Sequence, residues 1–266
     1  MPIHTVKNGT MEYFAAEGIA APHGFTTRRG GVSAGIFASL NLTHHRGDEP
    51  ENVEQNHILL AQAIGYDRER LVMCRQTHSD IVRAVTAADA RKTDHHAYPE
   101  CDGLITNTPG VALMVFTADC TPILLWDEET GAVGAVHAGW RGTAAGIAGK
   151  AVERMKACFG CDPAKIHAAI GPNIGPCCFE TDADVPMAMR ETYGEAAEKY
   201  IRPAGNKFYV NLKGLNALSL RQAGVKNIEI SDQCTACKPD FLWSHRVTGG
   251  QRGSQGAVIV CGGGKA

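Results

Sequence analysis

The chain has 266 residues, 44% hydrophobic and 20% charged, with a formal net charge of -2. That near-neutral balance leaves no broad basic field, so nucleic acid and acidic membranes are not expected as partners. No apolar run approaches the ~20 residues needed to span a bilayer, and the opening "MPIHTVKNGTMEYF" lacks the order of a secretory signal, so a cytoplasmic protein is expected.

In chain order, "HGFTTRRGGVSAGIFASLNL" predicts a strand running into a glycine-rich loop. "PENVEQNHILLAQAIG" sets Val53, His57, Leu60 and Ile64 at helical spacing, with Gly65 as the stop. "RLVMCRQTHSDIVRAV" reads as two strands broken at "QTHSD", and the polar "AADARKTDHHAYPECDG" as an exposed loop before Gly103. "GVALMVF", "PILLW" and "GAVGAVHAG" predict three buried strands separated by turn residues. "TAAGIAGKAVERMKACFG" puts Ile147, Ala151, Met155 and Cys158 on one helical face, with Thr143 as N-cap. A strand in "KIHAAIGP", a helix in "NLKGLNALSLRQAG" and strands in "NIEISD" and "GAVIVC" follow. Helices and strands mix without strict alternation, which predicts an α+β fold of mixed sheets with surrounding helices. No repeat or linker divides the sequence, so a single domain is expected over 1–266.

Three groups able to bind a metal stand at the ends of apolar runs: His78 in "CRQTHSD", Cys120 in "TADCTP" and His137 in "AVHAGWRG". Zinc accepts imidazole nitrogen and thiolate sulfur, and its catalytic sites usually offer three protein ligands and one open position. A lone histidine at a strand end is more often a hydrogen-bonded turn residue, and a lone cysteine more often packing. The ten cysteines, in a long chain without an export signal, read as reduced thiols.

The segments "FTTRRGGVSAGIFASLNL", "QTHSD", "DGLITNTPGVAL", "TADCTPILLWD", "GAVHAGWRGTAAGI", "IGPNIGPCCFE" and "SHRVTGGQRGSQGAVIV" occur in this order. From about His23 onward the chain resembles the YfiH/laccase-domain family, also labelled multicopper polyphenol oxidase or purine nucleoside phosphorylase. The resemblance implies a single α+β domain related to cysteine-hydrolase-like deamidase toxins. It also implies a zinc-type site, with copper as the alternative ion, formed by His78, Cys120 and His137, all intact in this sequence. The implied activities are phosphorolysis of adenosine, inosine, guanosine and methylthioadenosine, and deamination of adenosine. Some bacterial members are instead credited with editing a peptidoglycan precursor. A monomer or weak homodimer is expected.

Within that frame, Arg28 on its glycine-rich loop and Asn41 in "SLNL" are candidate substrate-binding residues. Arg141, beside an expected helix start, is a candidate for phosphate. Arg46 departs from the family's "HVGD" wording, with His45 in the preceding histidine slot, which leaves the roles of both open. His245 and Arg246 match "SHR"; His245 is a candidate general acid or base and Arg246 a candidate pocket residue. Asp119 is either a partner orienting a histidine or an Asx turn. "CTAC", with Cys234 and Cys237, has zinc spacing but lacks two further ligands at comparable spacing, and Cys177 and Cys178 read as packing.

Phosphorolysis asks for arginines to hold phosphate and for a group to neutralise the departing purine. Deamination would have to proceed without the H-x-E and P-C-x-x-C pair of known zinc deaminases, because Ala138 and Gly139 follow His137. Three rivals remain. A copper polyphenol oxidase would commonly show H-x-H pairs, and the 11 histidines include "HH" at His44 and His95 but no H-x-H. A thiol hydrolase would use Cys120 as nucleophile and His137 as base. A nucleoside-binding module would form no product.

Overall fold

The computed structural model describes residues 3–90 and 98–262. Two short strands, β1 (His4–Asn8) and β2 (Met11–Ala15), open the chain, followed by β3 (His23–Thr26) and helix α1 (Pro50–Ile64). Proline at the start of α1 costs no internal hydrogen bond. Gly65 ends the helix at φ 88, its N–H capping the Ala61 carbonyl, a conformation that favours glycine.

The central region contains β4 (Leu71–Val72), β5 (Val82–Ala84), β6 (Gly103–Thr106), β7 (Ala112–Thr117), β8 (Thr121–Asp127) and β9 (Val133–Ala138). Helices α2 (Trp140–Ala144) and α3 (Ile147–Phe159) follow, then β10 (Ile166–Ile170) and β11 (Glu180–Thr181). The last part holds α4 (Asp184–Tyr193), β12 (Ile201–Ala204), β13 (Lys207–Val210), α5 (Leu212–Gln222), β14 (Asn227–Ile230), α6 (His245–Thr248) and β15 (Gln255–Val260).

Among the described residues the strands form two six-stranded sheets, ordered β1-β2-β3-β15-β7-β4 and β14-β10-β8-β9-β6-β5, and a small sheet β11-β13-β12. Both large sheets mix parallel and antiparallel pairs; β4 runs parallel to β7 while β15 runs antiparallel to it. Side chains alternate across a strand, and that alternation sorts the core into layers. Leu113, Val115 and Ile259 of the first sheet meet Leu104, Leu124 and Ala135 of the second in one buried cluster. Their neighbours point outward: Met114 and Val258 pack under Leu60 of α1, while Ile105, Ile123, Leu125 and Val136 pack under Ile147, Ala151 and Met155 of α3. The result is an α+β fold with two sheets face to face and helices on both outer faces. Strands covered on both sides explain the unbroken apolar runs of β7 and β8, where one exposed face would have given polar alternation.

Three expectations need correction. Thr143 is not an N-cap: it lies inside α2, and Gly146 at φ 74 separates α2 from α3. Cys158, assigned to the buried face of that helix, is exposed. In the expected loop "AADARKTDHHAYPECDG", residues 91–97, including His95, lie outside the described residues, and its last part is core. Cys101 and Asp102 are fully buried and Gly103 opens β6. Among the described residues no helix is long and apolar enough to cross a membrane.

Candidate metal centre and its cavity

β7 and β8 are consecutive in sequence but belong to different sheets, so the chain crosses between the layers at residues 118–120. The crossing requires a sharp bend, and Asp119 supplies it at φ 84, a conformation uncommon outside glycine. Its carboxylate is held from two sides: Thr235 Oγ1 donates to Oδ1 at 2.5 Å and the Arg246 N–H to Oδ2 at 2.7 Å. The bend presents Cys120 half-buried. β9 pairs antiparallel with β8, Pro122 opposite His137, which brings His137 to the same end.

His78 arrives from the β4–β5 loop. Gln76 docks this loop by exchanging two 2.7 Å hydrogen bonds with the Phe116 backbone of β7. His78 itself sits at φ 60, and His78 and Asp119 are the non-glycine residues with positive φ among those described. Such strained conformations cluster at functional sites, where surrounding contacts enforce them.

Asp102, one residue before β6, ties these parts together. Its carboxylate accepts from the backbone N–H groups of Thr77, His78 and Ser79 at 3.2, 3.1 and 2.6 Å, from the Ser79 hydroxyl at 2.7 Å, and from His137 Nδ1 at 2.7 Å. Burial pushes its pKa up, but the hydrogen bonds from His137 and Ser79 outweigh burial and bring it to about 2. An ionised Asp102 on Nδ1 fixes the imidazole and leaves Nε2 to face the sulfur.

The ligand atoms of His78, Cys120 and His137 all lie within 4.8 Å of one another. Cys120 Sγ is 3.9 Å from His78 Nε2, and the two imidazole rings stand edge to face with centroids 4.9 Å apart. Tetrahedral zinc, with Zn–N near ~2.0 Å and Zn–S near ~2.3 Å, sets its ligand atoms roughly 3.5 Å apart, so this donor set fits. Burial pushes the Cys120 thiol up, but the charge on His137 and hydrogen bonds from both histidines bring it down to about 6. Burial pulls His137 down, and Cys120 together with Asp102 reverses that to about 9. At neutral pH the metal-free site is therefore a thiolate beside an imidazolium. Gly139 closes the arrangement: a Cβ there would lie 2.8 Å from His78 Cδ2 and 3.3 Å from Cys120 Sγ, which accounts for the glycine in "HAGWRG".

A cavity of about 370 Å³ opens over the three side chains, with Tyr98, Phe116, Arg46 and Arg252 also in its wall. Arg252 is 7% exposed. It donates to the Gly253 carbonyl at 2.8 Å and Ser254 Oγ at 2.9 Å, while its buried Nε has no partner among the described residues. Burial, then Arg46, lowers its pKa to about 10, so it stays charged at neutral pH.

Of the other residues singled out from the sequence, His45 also lines this wall, whereas Arg28, Asn41, Arg141, His245 and Arg246 lie outside it. Arg28 stacks on Trp243 at 4.0 Å and donates to the Ala38 and Pro239 carbonyls. Asn41 is fully buried and spends its amide on Thr43, Asp48 and Ser254. Arg141 is exposed over Trp140. Arg246 holds the Cys178 and Glu180 carbonyls. His245 stands behind Arg252, its Nδ1 3.5 Å from Nη2.

The family described as multi-copper polyphenol oxidoreductase laccase matches residues 22–262. The chain belongs to this laccase-domain family. It is 39% identical over 242 residues to a protein named purine nucleoside phosphorylase YlmD from Geobacillus stearothermophilus, covering 89% of this chain and 88% of that one. It is also 39% identical over 244 residues to a purine nucleoside phosphorylase from Deinococcus radiodurans, covering 92% and 90%. The crystal structure of Bacillus licheniformis YfiH superposes with a TM-score of 0.90 at 33% identity, covering 96% of this chain and 97% of that one.

Sequence reasoning on this laccase-domain chain missed Gln76, Asp102 and Arg252. Asp102 carried a signal, an acidic residue directly before the apolar "GLIT", but the polar passage ahead of it hid the strand. Arg252 sat in "GGQRGSQG", a glycine-rich stretch where backbone and guanidinium can both approach an anion.

Proposed function

We propose that this chain is a metal-dependent purine nucleoside phosphorylase acting on adenosine, inosine, guanosine and methylthioadenosine, with zinc as its ion and copper as the alternative. The observation that carries the reading is the meeting of His78, Cys120 and His137 with Arg46 and Arg252 around one cavity. The names of the relatives support the same reaction, and the cavity falls in the range of small-ligand sites. The same proposal takes the chain as a cytoplasmic monomer or weak homodimer.

In phosphorolysis a phosphate oxygen bonds to C1′ of the ribose, the glycosidic C–N bond breaks, and the purine leaves with the electron pair and takes up a proton. Arg46 and Arg252 hold the phosphate, the buried Nε of Arg252 keeping a donor in reserve. Tyr98 and Phe116 offer aromatic faces to the base. When bound by His78, Cys120 and His137, a zinc-class ion supplies Lewis acidity to the charge that develops on the leaving group. His245 acts by positioning Arg252; burial and that arginine lower its pKa, keeping Nδ1 neutral and able to accept. Asn41 holds Thr43 and Ser254, both cavity-wall residues, and Arg246 holds Asp119 through its N–H. Adenosine deamination belongs to the same proposal as a second activity of this cavity.

Replacing Cys120 or His137 by alanine should abolish release of hypoxanthine from inosine and phosphate, measured by chromatography, while the circular dichroism spectrum is unchanged. Turnover retained in both variants would refute the proposal.

A second reading has its own observation. Cys120, His137 and Asp102 stand in the order of nucleophile, base and orienting carboxylate, with 2.7 Å between His137 and Asp102. A thiol hydrolase acting on a peptidoglycan precursor would use that order. It requires activity that survives a chelator and a covalent adduct on Cys120, whereas the phosphorylase reading requires loss of activity on chelation.

A further inference from the structure

Four more sulfurs converge away from this cavity. Cys177 and Cys178 lie in the turn between β10 and β11, and Cys234 and Cys237 in the loop between β14 and α6. All four Sγ atoms lie within 4.8 Å of one another. Cys237 Sγ is 3.5 Å from Cys177 Sγ and 3.4 Å from Cys178 Sγ. All four are free thiols, and a disulfide would need about 2.05 Å. A tetrahedral ion with Zn–S near ~2.3 Å would hold its sulfurs roughly 3.8 Å apart. The sequence showed only the C-x-x-C half; the fold supplies the two ligands it lacked.

The backbone builds this arrangement. Asn173 and Cys234 form a parallel bridge, with the Thr235 N–H donating to the Asn173 carbonyl at 3.0 Å. The Gly175 N–H donates directly to Cys234 Sγ at 3.1 Å, which favours the thiolate. A Cβ on Gly175 would sit 3.2 Å from Cys177 Sγ and 3.3 Å from Cys234 Cβ, so glycine lets the two halves close. Beneath the loop, buried Lys213 donates to the Ser231 and Gln233 carbonyls at 2.7 and 2.6 Å. Its ammonium lies within electrostatic reach of Cys234 and Cys177. Four thiolates around a divalent ion carry two net negative charges, and a buried cation at their foot offsets part of that.

We propose that Cys177, Cys178, Cys234 and Cys237 form a second metal site, a closed tetrathiolate that takes a thiophilic divalent ion of the zinc class. Four protein ligands leave no open position, so the ion is structural. It pins the "CTAC" loop, whose Thr235 hydroxyl holds Asp119 at the bend that presents Cys120. The inference does not depend on the activity proposed for the cavity.

The test uses the full chain, reduced, stripped with a chelator and reloaded with zinc. In the double variant Cys120→Ala/His137→Ala the protein should retain one equivalent of zinc by elemental mass spectrometry. The cobalt-loaded form should show strong sulfur-to-cobalt charge transfer. Adding Cys177→Ser and Cys237→Ser should bring the retained metal to zero. Differential alkylation of the unmutated chain is the check that needs no variant. Cys177, Cys178 and Cys237 should be protected from N-ethylmaleimide when loaded and labelled when stripped, while exposed Cys158 is labelled in both states. No metal retained in the double variant under reducing conditions would overturn the site. So would a disulfide through Cys237 in protein prepared anaerobically.

Discussion

The two clusters of candidate metal ligands found among the described residues differ in the features that separate working from structural metal sites. At the cavity, one thiol and two imidazoles meet, one imidazole oriented by Asp102, and Arg46 and Arg252 share the wall. In the four-cysteine cluster every donor is sulfur and none belongs to that wall. Three mixed ligands leave room for chemistry; four thiolates close the coordination sphere. Thr235 joins the two, lying between Cys234 and Cys237 and donating to Asp119 next to Cys120.

The largest effect that would sharpen this contrast comes from Asp102→Asn. Orienting partners of metal ligands are worth roughly 10- to 100-fold in metal affinity or activity. Competition with a chromophoric chelator should show that loss at the cavity site and none at the four-cysteine site. Equal weakening of both would erase the distinction between them.

Next is Arg252→Met, which should raise KM for phosphate. Loss of a charge-assisted hydrogen bond of about 2 kcal/mol corresponds to roughly 30-fold. Zinc content should stay the same at both sites and KM for inosine should move less. An unchanged KM for phosphate would remove Arg252 from the anion site.

A pH profile of the stripped protein separates the thiols themselves. The folded pKa of Cys120 is lowered to about 6, so its thiolate persists down to about pH 6 and is lost below it. Burial raises Cys177 and Cys178 in the opposite direction. Iodoacetamide should therefore label Cys120 with a midpoint near pH 6 and the other two only at alkaline pH. The gain in Cys120 rate at pH 7 is roughly fivefold, because a more acidic thiol is a weaker nucleophile. His137→Ala should move the Cys120 midpoint up. A midpoint at the ordinary thiol value in the unmutated chain would contradict the ion pair.

The smallest expected effect is that of Thr235→Val. Losing one hydroxyl bond to Asp119 costs about 0.5–1 kcal/mol, a roughly two- to fivefold loss of zinc affinity at the cavity. No change would mean that the bend at Asp119 is held without the "CTAC" loop.

How much of this was legible in the sequence follows the range of the interactions involved. β7, β8 and β9 were readable because each is a local apolar run between turn residues, and α1 because Pro50 and Gly65 mark its ends. β1, mostly exposed, and the two-residue β11 carry no such pattern. His78, Cys120 and His137 stood out as metal-binding types at strand ends. Their meeting was legible only through the family resemblance and not from spacing, since it depends on the chain crossing between sheets at Asp119 and on β9 pairing back along β8. The contacts of Asp102 with His137 and the convergence of Cys177 and Cys178 with Cys234 and Cys237 are tertiary. Arg28, Asn41 and Arg246 looked like ligand contacts because polar groups in glycine-rich or turn segments suit either role; their hydrogen bonds go to backbone and to buried side chains.

The most direct measurement is anomalous diffraction at the zinc edge from crystals of the zinc-loaded chain. The account predicts a peak bonded to Cys120 Sγ at about 2.3 Å and to the His78 and His137 ring nitrogens at about 2.0 Å, with its fourth side open to the cavity that holds Arg252. A map without density at Cys120, with its sulfur turned away from both imidazoles, would contradict it.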